Sequence, residues 1–151
     1  MSDPRDDRPL DDERNAVTPP GTRRPRARVV VADDDGDMRE LVTLHLTAEG
    51  YDVHAAVSGA DLLSILESIR VDLWPLDGVD LIVVDNRMPE MTGLEAIRRL
   101  RAARWDKPAI LMTAFPAPAI QREAARLGVP VLSKPFSLDL VSSAVSLSLG
   151  S

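Results

Sequence analysis

Residues 81–97 read LIVVDNRMPEMTGLEAI, and their hydrophobic pattern changes halfway along. With Val79 in front, the run Val79 to Val84 has the length and continuous apolar character of a strand buried on both faces. Beyond Asp85 and a loop, Leu94, Ile97 and Leu100 recur at the spacing of one helical face. A buried strand that hands over to an amphipathic helix is half of a βαβ unit, and its neighbours decide whether the pattern repeats.

It does, in both directions. Val29 to Ala32, Ala109 to Met112 and Val129 to Leu132 read as further buried strands, and the weaker Tyr51 to Val57 as an edge strand. Between them one helical face collects Met38, Leu41, Val42 and Ala48, a second Leu62, Leu66 and Ile69, and a third Ile120, Ala124 and Leu127. A last helix follows Ser137, an expected N-cap, through Val141, Val145 and Leu149. Strand and helix alternate five times, so the expected fold class is α/β: a doubly wound five-stranded parallel sheet, helices on both faces, right-handed crossovers.

The rest of the chain bounds the function. With 151 residues and no cysteine, one domain can bury its core unaided, and disulfides, thiolate metal sites and cysteine nucleophiles are excluded. Residues 1–26 hold five of the twelve prolines, six acidic residues and six arginines, but few apolar groups. We expect a disordered Pro/Asp/Arg-rich extension there, with Arg23, Arg24, Arg26 and Arg28 as solvated linker rather than a docking patch, and a folded domain over 27–150. Because the extension is balanced, the net charge of −6 belongs to the folded part, which argues against nucleic acid as a direct ligand. No apolar run approaches the roughly 18 residues of a membrane span, and a cytoplasmic location is expected.

In a parallel sheet the carboxyl ends of the strands share one edge, where ligands bind. The residues leaving those ends are Asp33, Asp34 and Asp35, then Asp85, then Thr113, then Ser133 and Lys134. Singly, each of these aspartates is more often a turn or cap residue than a nucleophile. Jointly, three or four carboxylates, a hydroxyl and an ammonium suit Mg²⁺ and a phosphoryl group, since hard cations take oxygen ligands and bridge phosphate oxygens. Lys134 is one of only two lysines among eighteen basic residues, which suggests a need for a compact charge on a flexible stem.

At these residues the chain resembles the bacterial response-regulator receiver family. VADDDGDMREL (31–41), LIVVDNRMPEMTGLEAI (81–97), MTA (112–114) and SKPF (133–136) match its four motifs in register over residues 27–150. The resemblance implies the flavodoxin-like strand order 2-1-3-4-5 and transfer of a phosphoryl group to Asp85 from a sensor histidine kinase, a phosphotransfer protein or a small phosphodonor. It further implies Mg²⁺ held directly by Asp34 and Asp85, through water by Asp33 and by the backbone carbonyl of Arg87. Thr113 and Lys134 would hold the phosphoryl oxygens, the side chains of Arg87 and Phe115 would affect access, and the Lys134–Pro135 bond would be cis.

Two departures stand out. Val131 occupies the position where the family usually has the aromatic residue that changes rotamer on phosphorylation. The connection Arg70 to Gly78, with Trp74 and Pro75, is longer than usual, and like Trp105 it is expected at the edge remote from the site. His45 and His54 are not expected to join the chemistry. Three rivals rank lower. A phosphorylation-independent docking module is the nearest, because of Val131. An aspartate-nucleophile phosphatase would want a second Asp where Arg87 stands, and a DNA-binding regulator is disfavoured because the chain ends at the fifth helix, which leads us to expect no effector domain.

Overall fold

The computed structural model describes residues 26–70 and 78–150. The expectations for residues 1–25 and for Trp74 and Pro75 lie outside the described residues. Five strands, β1 (Arg28–Ala32), β2 (Asp52–Ala56), β3 (Leu81–Asp85), β4 (Ala109–Thr113) and β5 (Val131–Ser133), alternate with five helices. These are α1 (Gly36–Ala48), α2 (Gly59–Arg70), α3 (Gly93–Ala102), α4 (Pro118–Arg126) and α5 (Leu138–Ser148). All pairings are parallel, in the order β2-β1-β3-β4-β5, so the expected flavodoxin-like topology is the observed one.

Every residue of β1, β3 and β4 is buried because both faces of the sheet are covered. Successive side chains point to opposite faces. Val30, Ile82, Val84 and Leu111 accordingly pack with Leu62, Leu66, Leu94, Ile97 and Leu100 of α2 and α3, and Ala124 of α4 joins the same cluster. On the other face Val29, Val31, Leu81, Val83, Ile110 and Met112 meet Val42 and Leu46 of α1 and Val141 and Val145 of α5. Truncating any of these larger side chains to Ala would cost about 2–5 kcal/mol, since the lost burial leaves a cavity behind.

Some sequence expectations need correction. Leu41 is 52% exposed and Ala48 is also exposed, so the buried face of α1 is carried by Val42 and Leu46. The run Val129 to Leu132 is only in part a buried strand: β5 has three residues, lies on the outer edge as the expected strand order has it, and only Leu132 within it is buried. Val79 packs in the core but precedes β3. Arg28 is no part of a solvated patch, because it sits 8% exposed in β1 with Nε 3.0 Å from Asp52 Oδ2. Ser137 caps α5 as expected, accepting the Leu140 N–H at 3.1 Å.

Candidate functional site

Four strands deliver the site by ending where they do. Beyond β1, Asp33 is fully buried and its Oδ1 accepts the Asp35 N–H at 3.0 Å. Asp35 in turn caps α1, accepting from the Asp37 and Met38 N–H groups. That cap engages Asp35 with the helix, which leaves three carboxylates rather than four for a ligand. Oxygens of Asp33, Asp34 and Asp85 lie within 4.8 Å of one another.

Asp85 closes β3 at 4% exposure, and the chain turns there through a tight set of contacts. Its Oδ2 accepts the Arg87 N–H at 3.0 Å, and the Asn86 side chain accepts the Leu94 N–H at 3.1 Å. Gly93 is required at the start of α3: a Cβ there would stand 2.6 Å from the Asp85 carbonyl oxygen and 2.9 Å from Val84. Thr113 ends β4 nearly buried, with Oγ1 accepting the Phe115 N–H at 3.1 Å, so its own hydroxyl hydrogen is available to donate. Lys134, just after β5, is anchored by its N–H to the Thr113 carbonyl at 2.8 Å. The Lys134–Pro135 peptide is cis, as the resemblance implied.

The ammonium of Lys134 reaches across the sheet edge to Asp85 Oδ1 at 2.6 Å and Asp33 Oδ2 at 3.5 Å. Partial burial alone would push this ammonium down, but hydrogen bonding and charge from Asp85 and Asp33 outweigh it and hold Lys134 above its ordinary range. Burial pushes the Asp33 carboxyl up, with the Asp85 charge adding to the rise against the Asp35 N–H and Lys134. A cleft of about 420 Å³ opens over these groups. Arg87 and Phe115 flank it, the guanidinium 5.4 Å from the ring centroid of a Phe115 that is 65% exposed.

The structure therefore brings together Asp33, Asp34, Asp85, Arg87, Thr113 and Lys134, all named from the sequence. Ser133 does not line the cleft, and its side chain is not engaged there. His45 lies elsewhere, with Nε2 2.7 Å from Ser142 Oγ between α1 and α5, and His54 pairs with Asp52 on β2. Trp105 packs on the core beneath the Arg101 guanidinium, as its remote placement suggested. Sequence reasoning missed Asn86, whose amide oxygen fixes the start of α3, and Arg39, whose guanidinium bonds the Asp33 carbonyl. An Arg six residues after a strand-end Asp was the only available signal for the latter.

As a donor set, three clustered carboxylates match the oxygen preference of Mg²⁺, and the single ammonium does not neutralise them. A cluster of this kind can hold a hard cation.

Residues 29–146 match the response regulator receiver domain family. Regulatory protein AtoC of Escherichia coli is 32% identical over 113 residues, which is 74% of this chain and 23% of that protein. Response regulator MprA of Mycolicibacterium vanbaalenii is 33% identical over 115 residues, 74% of this chain and 46% of that protein. The chain thus aligns with less than half the length of these curated relatives. Among solved structures, the response regulator protein TrrA from Thermotoga maritima in complex with Mg²⁺-BeF superposes with a TM-score of 0.69 at 28% identity, covering 82% of this chain and 99% of that one. The Vibrio cholerae chemotaxis protein CheY4 superposes with a TM-score of 0.69 at 26% identity, again over 82% of this chain and 99% of that one.

Proposed function

The chain belongs to the response regulator receiver domain family of two-component systems, and from that premise we propose that it accepts a phosphoryl group on Asp85 with Mg²⁺ held by Asp33, Asp34, Asp85 and the carbonyl of Arg87. The observation that carries this reading is the contact of Lys134 Nζ with Asp85 Oδ1 at 2.6 Å beside two further carboxylates. A nearly buried carboxylate that stands beside two further carboxylates and an ammonium supports a nucleophile's role for Asp85.

The expected donors are a histidine kinase, a phosphotransfer protein or a small phosphodonor. A carboxylate oxygen of Asp85 forms the new bond to phosphorus as the donor's bond to phosphorus breaks and the leaving group departs, giving an aspartyl phosphate. The protein's contribution is alignment and charge stabilisation. The Arg87 N–H fixes the rotation of the Asp85 carboxylate. The Thr113 hydroxyl and the Lys134 ammonium, which line the cleft beside Asp85, would hydrogen-bond the phosphoryl oxygens. Bound Mg²⁺ supplies positive charge to those oxygens. No side chain needs to act as general base, because the nucleophile is already a carboxylate. The Arg87–Phe115 pair at the rim sets how readily water or donor reaches the site. The output partner would read the face carrying β5 and α5, where Val131 gives a weaker response than an aromatic ring because its short β-branched side chain has few rotamers.

Incubation with acetyl phosphate and Mg²⁺, followed by intact mass, tests the assignment. Wild type should gain one phosphoryl group and Asp85→Asn none; equal gain by both proteins would refute it.

A further inference from the structure

We propose that Arg39 is a positioning residue of the cation cluster: its guanidinium grips the backbone of the turn Asp33–Gly36 and so keeps Asp34 within reach of Asp33 and Asp85. This inference rests on the reading of the cluster as a Mg²⁺ site.

The three aspartates of this turn are held very differently. Asp33 is fixed by burial and by the Asp35 N–H, and Asp35 by the N-cap of α1. Asp34 is exposed, and among the described residues its carboxylate has no hydrogen bond or ion pair. It is free to bind a metal, but its place depends wholly on the backbone that carries it.

The Asp33 N–H ties that backbone to the Ala56 carbonyl of β2 at 3.2 Å, and one residue of α1 holds it from the other side at two points. The Arg39 N–H donates to the Asp35 carbonyl at 2.9 Å, the first turn of the helix, and Arg39 NH1 reaches back to the Asp33 carbonyl at 2.7 Å. The rest of the guanidinium lies along the turn, with NH2 3.5 Å from where a Cβ on Gly36 would stand. A charge-assisted bond of this length to a carbonyl just past the end of β1 is among the stronger constraints available to a loop.

The choice of acceptor matters. Lys134 bonds the carboxylate oxygens of Asp85 and Asp33. Arg39 bonds a carbonyl, so it restrains the turn without occupying an oxygen that a metal would need.

A role in positioning and a role as bare charge predict opposite signs. Were Arg39 only a cation beside three carboxylates, removing it would tighten the binding of a divalent cation. If it positions the turn, removing it weakens binding, as loss of an outer partner of a metal ligand typically does by about 10–100-fold. Arg39→Met keeps the aliphatic stem and deletes the donors. Arg39→Lys keeps the charge but lacks the planar fork.

The experiment is titration of the full chain with Mg²⁺ alone, followed by amide NMR shifts of residues 33–35 and 85–87, with melting curves in EDTA. Arg39→Met should weaken Mg²⁺ binding about tenfold while the melt in EDTA stays close to that of wild type, and Arg39→Lys should recover only part of the loss. Binding by Arg39→Met as tight as wild type, or tighter, overturns the proposal. If Arg39→Met does not fold, Arg39→Lys decides alone: weaker binding supports the role and unchanged binding ends it. A wild-type protein that fails to bind Mg²⁺ would instead overturn the phosphoacceptor reading on which this one rests.

Discussion

The two edges of the sheet both carry aspartates, half-buried at one and buried or exposed at the other, and they treat them in opposite ways. At the edge where the strands begin, Arg28 bonds Asp52 through Nε at 3.0 Å and Asp80 through its backbone N–H at 2.8 Å, and His54 lies 3.3 Å from Asp52. Burial, the largest single influence on Asp52, would raise it, but Arg28 and His54 outweigh that and hold its carboxyl below the usual range. At the edge where the strands end, one Lys134 serves Asp33 and Asp85, Asp34 has no partner among the described residues, and Asp33 is pushed up by burial. The first edge uses its charges to tie β1 to β2 and to the residue that leads into β3. The second leaves negative charge in excess.

Removing that excess with a ligand should give the largest effect. Mg²⁺ at a hundredfold excess over its dissociation constant should stabilise the unphosphorylated protein by about 2.7 kcal/mol, read as a rise in melting temperature. Asp34→Asn should abolish most of the rise, and a wild-type melt indifferent to millimolar Mg²⁺ would dissolve the contrast between the edges.

Next in size is the loss of a charge at the opposite edge. Asp52→Asn should cost about 1 kcal/mol at neutral pH, because the amide can still accept from Arg28 Nε but the carboxylate charge that strengthens this bond is lost, and it should leave the Mg²⁺ response intact. The pH dependence has a definite sign. A depressed carboxyl contributes stability above its unfolded pKa and loses it as pH falls through the folded value, so the wild-type and Asp52→Asn stabilities should converge on acidification. Constant separation down to pH 2 would show that Asp52 acts by shape alone.

No larger, and opposite in sign, is Asp33→Asn. Because the folded state raises this carboxyl, it is a burden above its folded pKa that is relieved as pH falls toward the unfolded value. The amide can still accept the Asp35 N–H, so the metal-free protein should gain of the order of 1 kcal/mol while its Mg²⁺ response is lost. Destabilisation in EDTA would mean that the Lys134 contact outweighs the burial of charge.

The smallest expected effect concerns transmission. Beryllofluoride with Mg²⁺ should shift the amides near Asp85 and Thr113 more than those over residues 129–149, since Val131 is half-buried and short. Equal shifts in both regions would show that another group carries the change to β5.

The sequence showed most of this architecture because the decisive residues follow strand ends, and strands buried on both faces are continuous apolar runs. β5 misled for the same reason: Val129 to Leu132 is apolar, yet Val129 packs before the strand, and of the three strand residues only Leu132 is buried. In α1 the pattern Met38, Leu41, Val42, Ala48 found the buried face at Met38 and Val42 but took in the exposed Leu41 and Ala48 and passed over Leu46, because periodicity cannot tell an exposed leucine from a buried one. The site was legible as to residue type. The division of labour within Asp33, Asp34 and Asp35 was not, since three identical side chains differ only in the backbone N–H groups and the guanidinium that surround them.

The most direct measurement is the identity of the modified carboxylate. After phosphorylation with acetyl phosphate and Mg²⁺, borohydride reduces an acyl phosphate to an alcohol, and peptide mass spectrometry locates the resulting homoserine. Conversion at Asp85 alone, with Asp33 and Asp34 intact, is the predicted result; conversion at Asp33 or Asp34, or none at Asp85, would contradict it.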